Sequence, residues 1–330
     1  MSDPTSSPSL PPDTPNQQYV SVKPIVAGKI RLPLRIALYD YRDQPDDVAI
    51  TAPAFAFLIT HPERGHVLFD LGIRKHCEGY PPVLHNRMHD VFQAVCEDDV
   101  ADQLRKGGVR PDDIGSIILS HVHWDHIGDS SLFPNAEIVL GGGTKPLLSE
   151  RVYPENPEGR MCAFPEGHEL VFVDFDFDSV DSENPSFSNG TRFKRISPFA
   201  TFDRAVDFFG DGSLYLIDTP GHMPGHQSAL ARIASGVFMF LAGDLCHHRE
   251  AYEPGDKLTS EIMYEDLKTA REMVKRLIML NKANMGVVVV LAHEPQRLEE
   301  GMPLFPDDVR AWSVEMVEKR RAEESALVKL

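Results

Sequence analysis

Four segments far apart in the chain share one construction: an apolar run that ends in histidine or aspartate. The densest is SHVHWDHIGD at 120–129, where His121, His123, Asp125 and His126 follow the apolar SIIL. SLYLIDTPGH ends at His222, GVFMFLAGD at Asp244, and GVVVVLAHE carries His293. Imidazoles and carboxylates are costly to bury without partners, and a loop at the end of a packed strand holds its side chains rigidly. His121 and His123 are next-but-one on extended chain and so point the same way, which lets both reach one ion. The inventory of five histidines and two aspartates suits two metal ions, with three terminal ligands each and one shared carboxylate. Imidazole and carboxylate donors favour Zn²⁺, with Fe, Mn or Co as alternatives.

The rest of the pattern is a scaffold for these ends. Strand-like runs occupy 30–40, 55–60, 66–72, 116–120 and 136–143, and a helical stripe through Met88, Val91, Val95, Val100 and Leu104 predicts a helix over 86–107. LVFVDFDFDSV at 170–180 alternates, with Asp174, Asp176 and Asp178 on one face. Without the Gly and Glu spacing of a calcium loop, this reads as a solvated strand face. Further strands follow from AVDFFG to GVFMFLAGD. Helices are predicted over 260–280 and 306–325, with the strand 286–294 between them. Two packed sheets covered by helices on their outer faces would satisfy this order.

Composition narrows the function classes. The chain has 330 residues, 42% of them hydrophobic, enough for one large domain, here 19–330. No apolar run reaches the length of a membrane span. The net charge is −17 and no Lys/Arg cluster stands out, which argues against nucleic acid as partner. Residues 1–18 are rich in Pro and Ser, lack an apolar signal core, and read as a disordered tail. Cys77, Cys96, Cys162 and Cys246 form no CxxC pair and are expected as reduced thiols, which points to the cytoplasm.

The four ordered motifs resemble the metallo-β-lactamase superfamily, in the branch with a full dinuclear site, over about residues 20–325. That resemblance implies an αββα sandwich, an α/β fold of two mixed sheets flanked by helices. It also implies a first metal on His121, His123 and His222, and a second on Asp125, His126 and His293, with Asp244 bridging. The implied chemistry is hydrolysis. A water shared by two ions about 3.5–4 Å apart has a pKa near 7, and the resulting hydroxide attacks a carbonyl. Asp125 is expected to help move a proton to the leaving group.

Within the superfamily, DFFGDGSLYLIDTPGHMPGHQSAL at 207–230 and the 22-residue interval from His222 to Asp244 are similar to N-acyl-homoserine lactonases. Fungal relatives of this type open lactams, so the substrate expected is a small molecule with a cyclic ester or amide. The alternatives are a thioesterase of the glyoxalase II kind and, less favoured, a non-catalytic metal-binding scaffold. Lactonases commonly place a tyrosine three residues after the bridging aspartate. Here that position is His247, beside His248, and His247 is expected to donate a hydrogen bond to the substrate. His226 and Asp70 are expected to support the metal loops, and Cys246 to be a buried packing residue. Tyr39, Tyr41, Met161 and Phe164 are candidates for the pocket wall. The sequence leaves a homodimer open.

Overall fold

Period-two alternation sorts the core into layers. In the strand Ala49–His61, Phe55, Phe57 and Ile59 join one buried cluster while Ala54, Ala56 and Leu58 join another. The computed structural model describes residues 9–175, 193–283 and 286–327. In chain order the strands are β1 (Ser21–Pro33), β2 (Ala49–His61), β3 (Gly65–Phe69), β4 (Ile114–Ile118), β5 (Glu137–Gly141), β6 (Val152–Tyr153) and β7 (Met161–Cys162). They continue with β8 (Leu170–Val173), β9 (Lys194–Ile196), β10 (Ala205–Asp207), β11 (Leu214–Asp218), β12 (Gln227–Ala234), β13 (Val237–Leu241) and β14 (Val287–Val290).

One sheet has the order β1-β2-β3-β4-β5-β8 and the other β14-β13-β12-β11-β10-β9. Both are mixed: β3, β4, β5 and β8 run parallel, as do β13 and β14, and the remaining pairs are antiparallel. Phe57, Phe69, Ile118 and Val139 of the first sheet share a cluster with Leu216, Ala231, Met239 and Val288 of the second, which is the layer between the sheets. The opposite faces belong to a second cluster. It includes Val100 and Leu104 of the helix Val100–Lys106 and Met273, Val274 and Leu277 of the helix Leu267–Ala283. This is the expected αββα sandwich. The run VVVV of β14 is buried on both faces, as a parallel strand under a helix requires.

Several boundaries differ from the sequence reading, each for a local reason. The strand expected over 30–40 ends at Pro33, whose missing N–H cannot continue a ladder, and Leu34–Ala37 turns helically. The helix expected over 86–107 is two pieces, a turn at Arg87–Val91 and the helix Val100–Lys106. Between them Val95 exchanges backbone hydrogen bonds with Lys29 of β1, at 2.9 and 3.0 Å, and Asp99 restarts the helix by accepting from the Asp102 N–H at 2.8 Å. The helix expected over 260–280 starts at Leu267, and the last helix is Arg310–Leu327. In the 170–180 stretch Val171, Val173 and Phe175 are buried as expected. Asp176 and Asp178 lie outside the described residues.

The expected tail over 1–18 gives way from residue 9 onward. Arg232 of β12 is 1% exposed, and its guanidinium donates to Asp13 Oδ1 at 2.6 Å and to the Pro11 carbonyl at 2.9 Å. Gln17 Nε2 donates to the Asp211 carbonyl at 2.9 Å. A buried cation with one carboxylate partner fixes this segment, so Asp13→Ala is expected to lower stability by about 1–3 kcal/mol. A melting temperature unchanged in that variant would show that the segment contributes nothing. Among the described residues no helix is long and apolar enough to cross a membrane.

Candidate metal centre

The strand ends deliver the site. β4 leads through Leu119 and Ser120 to His121; β11 leads to the Thr219–His222 turn, β13 to Asp244 and β14 to His293. The two sheets are tied together here, where Gln227 of β12 donates its backbone N–H to Ser120 O at 2.9 Å and its side chain to Leu119 O at 3.0 Å. Gly221 has φ +127°, and a Cβ there would sit 2.4 Å from the Ala270 nitrogen. Only glycine lets the His222 loop lie against the start of the helix Leu267–Ala283. Asp266 caps that helix, accepting from the Thr269 N–H at 3.0 Å, and its own N–H bonds Gly221 O at 2.9 Å. The Glu265 N–H bonds His222 O at 3.0 Å, so residues 265–266 tie the metal loop to the start of this helix.

His121 Nε2, His123 Nδ1 and His222 Nε2 form a triangle with edges of 2.9, 2.9 and 3.1 Å. Ligands on one tetrahedral ion at about 2.0–2.1 Å would lie about 3.3 Å apart, so the triangle is slightly contracted but of the right size. Asp244 Oδ2 lies 3.4 Å from His222 Nε2 and 3.7 Å from His121 Nε2. Its Oδ1 faces the other way, 3.3 Å from His126 Nε2 and 3.5 Å from His293 Nε2. Asp125 Oδ2 completes that second group, 3.4 Å from His293 Nε2. Among the described residues, the buried atoms His126 Nε2, His293 Nε2 and Asp244 Oδ1 have no hydrogen-bond partner. Buried polar atoms that converge on one space without partners are what a bound cation satisfies, and the donor set fits a divalent metal.

Electrostatics separates the two groups. Burial, followed by the neighbouring imidazoles, holds His121 well below the usual histidine range. Burial also lowers His222 strongly and brings His123 to about 4. These three are neutral imidazoles at neutral pH, the form that ligates metal. At His126 burial opposes protonation, but the Asp244 and Asp70 carboxylates outweigh it and raise the group well above its usual value. Burial would raise Asp244, yet His126, His247 and His293 hold it well below the carboxylate range.

A second layer orients these ligands. Asp70 accepts from the Ser120 N–H at 2.7 Å and its Oδ2 lies 2.8 Å from His126 Nδ1, which turns Nε2 of that ring inward. His293 Nδ1 lies 2.8 Å from Pro53 O. His226 is not among the convergent donors: its Nε2 accepts from the Asp244 N–H at 3.0 Å and its Nδ1 donates to Thr219 O at 2.8 Å. Glu294, next to His293, is fully buried and ties the loop to Arg249, Tyr252 and the Leu291 N–H.

A cavity of about 440 Å³ opens over both donor groups, reaching His123, Asp125, His222 and Asp244. Met161 lines it as expected, whereas Tyr39, Tyr41 and Phe164 do not. His247 is not on its wall either. It is 1% exposed, with Nε2 3.0 Å from Asp244 Oδ2 and Nδ1 2.9 Å from the Tyr264 hydroxyl. Tyr264 is the one of the pair that faces the cavity. Cys246 is fully buried behind the site. The sequence reading missed Tyr264, Arg87 and Glu294. The missed signal for Tyr264 was Asp266 followed by Thr269, a helix start that puts Tyr264 in a loop.

A family model described as Metallo-beta-lactamase superfamily matches residues 51–245. The chain is 32% identical to the cytochrome P450 monooxygenase mpaDE of Penicillium brevicompactum over 94% of its own length, but spans only 38% of that protein. It is 35% identical to Gamma-lactamase MBL2 of Gibberella moniliformis, over 57% of this chain and 73% of the relative. To the N-acyl homoserine lactonase AttM of Rhizobium radiobacter it is 30% identical, over 74% of this chain and 82% of the relative. Among solved structures, a variant of B. thuringiensis AiiA with N-decanoyl-L-homoserine bound at its active site superposes with a TM-score of 0.64 at 20% identity, covering 88% of this chain and 98% of that one. The fold, the convergent histidines and aspartates, and a family match over more than half its length agree: the chain belongs to the metallo-beta-lactamase superfamily.

Proposed function

We propose that the chain is a metal-dependent hydrolase that opens a small lactone or lactam ring. The observation that carries the reading is the orientation of Asp244, whose two oxygens face separate donor groups at the floor of the cavity. That orientation favours two divalent ions, with His121, His123 and His222 on one, Asp125, His126 and His293 on the other, and Asp244 shared. Zn²⁺ suits the donors best, with Fe, Mn and Co as alternatives. When bound, the ions supply Lewis acidity that polarises a carbonyl and lowers the pKa of water to about 7. The likeness to a gamma-lactamase and an N-acyl homoserine lactonase supports a cyclic ester or amide over an open thioester.

The chain's own residues divide the remaining work. Asp125, its side chain 12% exposed, lines the cavity beside the second donor group and would hold a proton bound for the leaving group. His247 is a positioning residue: by donating from Nε2 to Asp244 it fixes the carboxylate, and its Nδ1 then accepts from Tyr264. His247→Ala is therefore expected to weaken metal retention by about 10–100-fold, the usual effect of removing such a partner. Metal retained in full while turnover falls about 10²–10³-fold would instead make His247 a direct donor to the substrate.

The reading is tested by turnover of metal-bearing protein on matched lactones, lactams and open thioesters. Opening of one ring class ahead of the thioesters is expected. Hydrolysis confined to thioesters would overturn it.

A further inference from the structure

The cavity wall combines apolar surface with positive charge. Leu84, Phe92, Trp124 and Met263 line it together with the arginines Arg87, Arg151 and Arg160. Arg151 is already matched by a two-pronged pair with Glu265, at 2.5 and 3.3 Å. The other two are not: among the described residues neither Arg87 nor Arg160 has a carboxylate ion-pair partner. Arg87 is half-buried. Its guanidinium lies over the Phe92 ring, 5.2 Å from the centroid, and its Nη2 is 3.6 Å from Met263 Sδ, a weak acceptor. Burial pushes this guanidinium down, with Asp125 opposing and Arg160 adding to the effect, so Arg87 feels both the metal site and its fellow arginine. Glu158 also lines the cavity but is exposed.

A guanidinium has five N–H donors in a planar fork that matches a carboxylate. One held half out of water against a ring and a thioether has donors to spare. In a chain of net charge −17, an anion is repelled at long range, and a local positive pair is what would admit one. We propose that Arg87, with Arg160 of the same cavity wall, forms an anion-recognition subsite in this cavity. The ligand it fits is an apolar molecule of aromatic size that carries a carboxylate away from the ring to be opened. The identity of the bond broken rests on the hydrolase reading; the anion subsite does not.

The test measures binding of 2-naphthalenesulfonate and its neutral methyl sulfone to the metal-bearing protein, through the fluorescence of Trp124 on the cavity wall. The sulfonate is expected to bind about 10–100-fold more tightly, the worth of a hydrogen bond to a charged group. Arg87→Gln should bring the two affinities together, Arg87→Lys should keep part of the gap, and Arg160→Gln, at an exposed position, should narrow it. Equal binding by the unaltered protein would overturn the proposal, as would a preference that persists in both Gln variants, which would assign it to the metals. A protein that opens no ring yet keeps the arginine-dependent preference removes the hydrolase reading and leaves the subsite standing. One that opens neutral rings without any anion preference removes the subsite alone.

Discussion

Replacing Asp244 by alanine is expected to lower turnover by about 10³-fold or more and to release metal. The side chain is 3% exposed, and its carboxylate lies within 3.7 Å of His121, His126, His222, His247 and His293. No other described carboxylate faces both donor groups. Without it, two cations would sit close together with nothing negative between them, and the imidazoles of the second group would lose the charge that gathers them. Asp244→Asn sharpens the test, because it keeps the shape while turning one oxygen into an N–H₂ donor aimed at one group. That variant is expected to hold one ion well and the other poorly. Metal content and turnover are measured together. An alanine variant that keeps both ions and turns over within about tenfold of the parent would show that Asp244 does not bridge.

The largest loss of stability is expected from Glu294→Ala. Glu294 is fully buried and accepts from Arg249 Nε at 2.7 Å, the Tyr252 hydroxyl at 2.8 Å and the Leu291 N–H at 2.9 Å. Arg297, 1% exposed, lies 3.3 Å from the same carboxylate. Removing one partner of a buried ion pair costs about 3–5 kcal/mol, because the charge left behind is uncompensated. Glu300 still reaches both arginines and limits the loss. The melting temperature should fall by on the order of 10 °C. Because the network holds the turn after β14, His293 should loosen and metal affinity should fall with it. A melting temperature within about 2 °C of the parent would mean that Glu300 alone neutralises the pair.

The parts of the fold legible in the sequence are those where local pattern and tertiary demand coincide. Apolar runs such as VVVV and LYLI form strands because they are buried on both faces, and their polar ends converge because the sheets stack with those ends together. Convergence of seven side chains from four loops was readable because buried histidines and carboxylates need partners. Where tertiary contacts override local preference, the pattern misled. The stripe from Met88 to Leu104 fits one helix, but Val95 pairs with Lys29 instead. The Pro-rich start has almost no apolar surface, yet the buried Arg232 in β12 draws Asp13 onto the body. Nothing local to Arg232 announces that need, since its burial follows from the sheet around it. His247 and Tyr264 are the same lesson in the site. Spacing from Asp244 gave His247 the expected role of donor to the substrate, but His247 bonds Asp244 instead, and Tyr264 faces the cavity because residues 260–266 precede the helix and bond the His222 loop.

The proposed centre holds two metal ions per chain, and elemental analysis of the purified protein, supplied with Zn²⁺ and freed of excess, tests this most directly. A ratio close to two per chain is predicted, falling to about one or less in Asp244→Ala. A folded protein that binds one ion or none at saturation, with Asp244→Ala indistinguishable from it, would contradict the shared-carboxylate centre.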